Sequence, residues 1–96
     1  MARIEKLDDA SVQTRLRDVD GWSLQGGKLH REFQFENFVE AFGFMTKVAI
    51  LAERQNHHPE WSNVYRTVRV DLTTHEAGGI TERDFELAAA INDLAR

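Results

Sequence analysis

The run Val68-Arg69-Val70-Asp71-Leu72-Thr73 alternates apolar and polar residues without a break, and that period of two is the strongest constraint on what this chain can become. On a strand it sends the three apolar side chains to one face and the polar ones to the other. One face then needs cover and the other needs water, so the chain must provide neighbouring strands and a second layer. Leu29, Phe33 and Phe35 alternate with polar residues in Leu29-His30-Arg31-Glu32-Phe33-Gln34-Phe35, and Gly26-Gly27 sets this run off from Trp22-Ser23-Leu24. That spacing predicts a hairpin. Trp61-Ser62-Asn63-Val64-Tyr65 gives a further strand just ahead of the alternating run.

Between these strands the period changes. Val12, Leu16 and Val19 fall at helical spacing after Asp8 and Asp9, either of which can cap, and Gly21 stops the helix. Asn37-Phe38-Val39-Glu40 has a capping-box pattern, followed by Phe38, Ala41, Phe42, Met45, Val48, Ala49 and Ala52 at three- and four-residue steps. Val39, Phe44 and Leu51 fall beside that set and widen the apolar surface, which suits either a partner surface or a helix buried on two sides. Thr81 is placed to cap a last helix carrying Phe85, Leu87, Ala88, Ile91 and Leu94. The order is α-β-β-α-β-β-α. The expected fold class is α+β, a two-layer arrangement of a four-stranded, mainly antiparallel sheet with helices on one face.

At 96 residues, 42% apolar and 29% charged, the chain is expected to be a single globular domain over residues 1–96. It contains no cysteine, which rules out disulfides, thiolate metal sites and thiol nucleophiles. A net charge of -4 disfavours nucleic acid as a partner, since a phosphate backbone asks for a clustered basic face. Met1-Ala2-Arg3-Ile4-Glu5-Lys6 lacks the apolar stretch of a signal peptide, and no segment has the length of a membrane span. The expected compartment is the cytoplasm, with no membrane partner.

His57-His58-Pro59 puts two imidazoles at a helix-to-strand junction, where the proline biases His58 toward extended backbone. Bare histidine pairs at such junctions are as often plain surface residues. His75 alters that balance. The strand through residues 68–73 is read as continuing to Thr74-His75-Glu76, with 69, 71, 73 and 75 on its polar side. If residues 61–65 and 68–73 form a tight hairpin, the three imidazoles meet at one edge of the sheet. Three histidines and water are a known zinc arrangement. Adjacent side chains on extended backbone diverge, however, and the HExxH spacing is absent, so acid–base chemistry without a metal fits better. Asp84 begins the inward stripe of the last helix; it reads first as the capping-box partner of Thr81, and such a carboxylate could also hold a histidine. Trp61 could wall a pocket for a flat heteroaromatic ring, or simply pack in the core or against another subunit, which is the preferred reading for Tyr65. Glu53 and Asn56 close the central helix, where they can face the same pocket but are equally normal as solvated helix-end residues, and His30 reads as a surface strand residue.

The segment Glu53-Arg54-Gln55-Asn56-His57-His58-Pro59-Glu60-Trp61-Ser62-Asn63-Val64-Tyr65, followed by Leu72-Thr73-Thr74-His75-Glu76-Ala77-Gly78-Gly79-Ile80-Thr81-Glu82-Arg83-Asp84, resembles pterin-4a-carbinolamine dehydratase. The dense likeness covers residues 53 to 84. The resemblance implies loss of water from 4a-hydroxytetrahydropterin to give quinonoid dihydropterin, a step that recycles a tetrahydrobiopterin-type cofactor, with no metal or other cofactor. It implies His57, His58 and His75 as the catalytic set, with Pro59, Thr74, Glu76 and Ala77 in the segments that contact substrate. Trp61 and Asp84 join that pocket on the reading of the residues given above. Homodimers or homotetramers are implied as well. Some relatives of the family serve instead as dimerisation cofactors of a transcription factor or in Rubisco assembly, so a non-enzymatic binding role is the alternative; three histidines in dehydratase spacing favour the enzyme.

Overall fold

The computed structural model describes residues 4–96. The first three residues of the N-terminal stretch read above for a leader therefore lie outside the described residues. Asp8 accepts from the Ser11 amide and starts α1 (Asp9–Leu16). Strands β1 (Ser23–Gln25) and β2 (Lys28–Gln34) follow, joined by Gly26 and Gly27, whose φ values of 58° and 76° are the left-handed conformations that a two-residue hairpin turn requires. Asn37 caps α2 (Phe38–Gln55), after which come β3 (Glu60–Val64), β4 (Thr67–Leu72), a 3₁₀ turn over His75–Ala77, and α3 (Glu82–Ala95).

The four strands form one sheet in the order β1-β2-β4-β3, every pair antiparallel. The α-β-β-α-β-β-α order and the α+β class expected from the periods are those observed. Val68, Val70 and Leu72 lie opposite Phe33, Arg31 and Leu29 across the β2–β4 ladder. Val68, Val70 and Leu72, with Leu29 and Phe33, Val48, Phe44 and Ala41 of α2 and Phe85, Leu87, Ala88 and Ile91 of α3, form most of the buried core. Burying one such side chain is worth about 1.5–3 kcal/mol, so the alternating run binds the two layers together.

Helix α2 departs from expectation in which side it buries. Ala41, Phe44, Val48 and Ala52 face the core, whereas Phe38, Val39, Phe42 and Ile50 are exposed. Phe44 is therefore a core residue and Leu51 packs against the core; of the three residues thought to widen the surface, only Val39 is exposed. At about 100° per residue the stripes 41-44-48-52 and 38-42-39-50 lie side by side, and spacing alone does not say which one meets the sheet.

Candidate active site

Three short stretches converge at the end of the β3–β4 hairpin. The first is the end of α2. Asn56 takes a left-handed conformation (φ 52°), and the His57 amide donates back to the Ala52 carbonyl at 3.0 Å. This closes the helix and turns His57 away from its axis. The second is β3, where Glu60 stands opposite Asp71 at the start of the strand. The third is the 3₁₀ turn after β4. Burial keeps alternating to Thr74, and there the chain turns, with Thr74 and Gly79 paired in a local bridge. His75 is thus the first residue of the turn, not the next polar position of a longer strand. The expected strand ends early because the Thr74 and His75 carbonyls accept from the Ala77, Gly79 and Gly78 amides of the turn rather than from a neighbouring strand.

A cleft of about 300 Å³ opens there, lined by Asn56, His57, His58, Thr73, His75 and Glu76. Each of its three imidazoles has a carboxylate partner. His57 Nε2 lies 2.5 Å from Asp84 Oδ1, His58 Nε2 lies 2.5 Å from Glu53 Oε1, and His75 Nε2 lies 2.8 Å from Glu60 Oε2. Among the described residues no three His, Cys, Asp or Glu side chains are grouped as ligands for one metal ion.

The three pairs differ in burial. Asp84 is fully buried; its Oδ2 accepts from the Thr74 hydroxyl and the Thr81 amide, both at 2.9 Å. Since Thr74 spends its one proton on Asp84, the 2.8 Å contact between the Thr74 and Thr81 hydroxyls has Thr81 donating. Asp84 is the third residue of α3, where the helix dipole favours a negative charge. With Nε2 donating to this carboxylate, His57 is fixed in one orientation and Nδ1 is left to carry or accept a proton. His58 and His75 are exposed, as is Glu53.

Glu60 was not singled out by the sequence reading, nor was Lys28. Lys28 Nζ reaches Glu60 Oε1 at 2.5 Å. Its hydrogen bond, with that of His75, holds the Glu60 carboxyl below the ordinary glutamate range, and Glu60 in turn raises the Lys28 ammonium. The contact spans β4, which lies between β2 and β3, so only the strand order brings the two together.

Of the other expected site residues, Glu76 lines the cleft, while Thr74 and Asp84 lie behind His57 with their polar groups bonded to each other. Pro59, Trp61 and Ala77 do not line it. Trp61 stands opposite Val70 and packs against the core. Tyr65 occupies the β3–β4 turn with φ 53°, braced by Asn63 Nδ2, which donates to the Tyr65 and Thr67 carbonyls. His30 is half-buried, its Nδ1 2.8 Å from Asp71 Oδ1 across the ladder, rather than a free surface residue.

An antiparallel sheet backed by helices, with carboxylate-partnered imidazoles around one cleft, holds groups of the kind that can donate and accept protons. The chain belongs to the pterin 4 alpha carbinolamine dehydratase family, whose model matches residues 5–94, and so falls among the hydro-lyases. It is 54% identical over 94% of its length to a protein of Solibacter usitatus, and 54% identical over 99% to one of a Chelativorans species; the matches cover 95% and 98% of those proteins. Both are provisionally named pterin-4-alpha-carbinolamine dehydratases. Among solved structures, a transcriptional coactivator/pterin dehydratase from Brucella melitensis superposes with a TM-score of 0.92 at 40% identity, covering 96% of this chain and all of that one. A pterin dehydratase-like protein described as a RuBisCO assembly factor in the alpha-carboxysome superposes with a TM-score of 0.68 at 26% identity, over 78% of this chain and 89% of its own.

Proposed function

We propose that the chain dehydrates 4a-hydroxytetrahydropterin to quinonoid dihydropterin by histidine acid–base catalysis, as a step in recycling a tetrahydrobiopterin-type cofactor. The observation that carries this reading is the cleft with three imidazoles, each held by its own carboxylate. The reaction breaks the C4a–O bond: the departing hydroxyl needs a proton, and N5 must lose one. Imidazoles titrate near neutral pH and suit both transfers without a metal or other cofactor. His57 and His75 are assigned the proton transfers. His58, between the helix end and Pro59, is assigned to hold and polarise the pterin, with Glu76 at the cleft, Thr74 and Asp84 fixing His57 from behind, and Pro59, Trp61 and Ala77 holding in place the segments that carry the histidines.

Adding the purified protein to a pterin-dependent hydroxylase reaction, and following the carbinolamine absorbance, tests the proposal. Its decay should accelerate and remain accelerated after treatment with a chelator. Loss of activity on chelation, restored by zinc, would overturn the metal-free mechanism.

The exposed residues Phe38, Val39, Phe42 and Ile50 on α2 support a second proposal, that this face closes against another copy to form a homodimer or homotetramer. An oligomeric mass by sedimentation is expected, and Phe42→Glu should reduce it. The same face supports the alternative of a binding or assembly role toward another protein; a monomer with no dehydratase activity would favour that account.

A further inference from the structure

Two cavities meet at His75. On one side is the cleft; on the other is a larger cavity of about 410 Å³ that shares Thr73 and His75 with it. Leu7, Val12, Leu24 and Ile80 give the larger cavity an apolar lining. Lys6 and Lys28 also line it, against the single carboxylate of Asp9. Gly26, Gly27 and Gly78 bound it with bare backbone, and a Cβ at any of them would meet nothing within 4 Å, so the space is open. Lys6 is fixed at one side: the Leu7 amide donates to the Ile80 carbonyl at 2.9 Å, and the Lys6 stem lies over Gly79, where a Cβ would come within 2.7 Å of it. Lys28 is engaged by Glu60, whereas Lys6 takes part in no ion pair among the described residues.

The chemistry of the carbinolamine fixes where its substituent must go. The reacting atoms are C4a and N5, and the ring carries its side chain on C6, the carbon bonded to N5. A ring with its pyrimidine half in the cleft and N5 at His75 would carry that side chain past His75, toward the second cavity. A short polyol would leave the apolar lining wet and the Lys6 ammonium without a counter-charge. A longer arm, apolar beside the ring and anionic at its far end, would cover Leu7, Leu24 and Ile80 and bring its charge to Lys6.

We propose that the cavity beyond His75 is a subsite for the C6 substituent, and that it selects pterins whose C6 arm is apolar near the ring and ends in carboxylate. This inference rests on the dehydratase reading of the cleft. The test compares binding of 6-methyl-7,8-dihydropterin with that of 7,8-dihydrofolate, whose C6 arm is an aminobenzoyl group ending in two carboxylates. Dihydrofolate should bind about tenfold more tightly, from burial of the aryl group and one charge contact. Lys6→Glu, and separately Leu24→Glu, should each bring the two Kd values to within about threefold of one another.

Equal Kd values in the natural protein, or a difference that survives both substitutions, would overturn the subsite. Turnover of the two matching carbinolamines separates this from failure of the dehydratase reading. If the methyl carbinolamine is dehydrated but the Kd values are equal, the subsite falls and the dehydratase stands. If the Kd difference is present and lost in the variants while neither carbinolamine is turned over, the subsite stands and the dehydratase falls. Binding of neither ligand would refute both.

Discussion

His57 and His75 face the same cleft, and each is bonded to a carboxylate, yet the two pairs are physically unlike. His57 is 8% exposed and its partner Asp84 is fully buried, tied to the Thr74 hydroxyl and the Thr81 amide. The His75 side chain is 78% exposed and Glu60 is 42% exposed, in contact with Lys28 at the edge of the sheet. Folding has already oriented the first imidazole, so a proton transfer there needs no rearrangement. The second is held only by one solvent-exposed contact, which water competes for and the substrate can displace. One cleft thus combines a preset group with an adjustable one.

The hardest break in that contrast is Asp84→Ala. It strands three buried donors and removes the group that orients His57, so it should destabilise the fold by about 3–5 kcal/mol in urea titration. His57→Ala spares most of that network and should chiefly lower kcat, by about 10²–10⁴-fold. Comparable melting curves for Asp84→Ala and the natural protein would show that the buried pair does not hold the site.

The exposed histidines sharpen the comparison at smaller cost to the fold. His75→Ala should reduce kcat within the same range of about 10²–10⁴-fold while leaving denaturant stability within about 0.5 kcal/mol. His58→Ala should raise KM as well as lower kcat. Equal kinetic losses in all three variants would remove the division of roles.

The Lys28–Glu60 contact should produce the weakest and most condition-dependent effect. Glu60 is lowered by Lys28 and His75, so its contribution to stability is present above the ordinary glutamate range and is lost as pH falls through the lowered value. Lys28 is raised by Glu60, so its contribution is complete below the ordinary lysine range and is lost as pH rises through the raised value. Glu60→Gln should therefore differ most from the natural protein at neutral pH in low salt. The difference should shrink in acid, and also in 1 M salt where the Debye length is about 3 Å. His30→Ala serves as the reference: its bond to Asp71 lies outside the cleft lining, so it should cost about 1 kcal/mol of stability and leave the kinetic constants unchanged.

What the sequence determined by itself was local. Alternation at Val68, Val70 and Leu72, the Gly26-Gly27 turn and the caps at Asn37 and Thr81 each act within a few residues, and those elements formed where the spacing put them. The gathering of His57, His58 and His75 was legible too, because a tight hairpin must bring its first and last residues together, as Glu60 and Asp71 show. Tertiary structure alone decided which stripe of α2 meets the sheet, because Phe38 and Phe42 are as apolar as Phe44 and only the shape of the opposing layer chooses between them. It also decided that Trp61 packs against the core, that the histidine held by Asp84 is His57, and that Lys28 reaches Glu60 across β4. Those contacts join residues 27 and 32 positions apart. Spacing along a chain carries no information about strand order or helix facing, which are settled only when the two layers close on a common core.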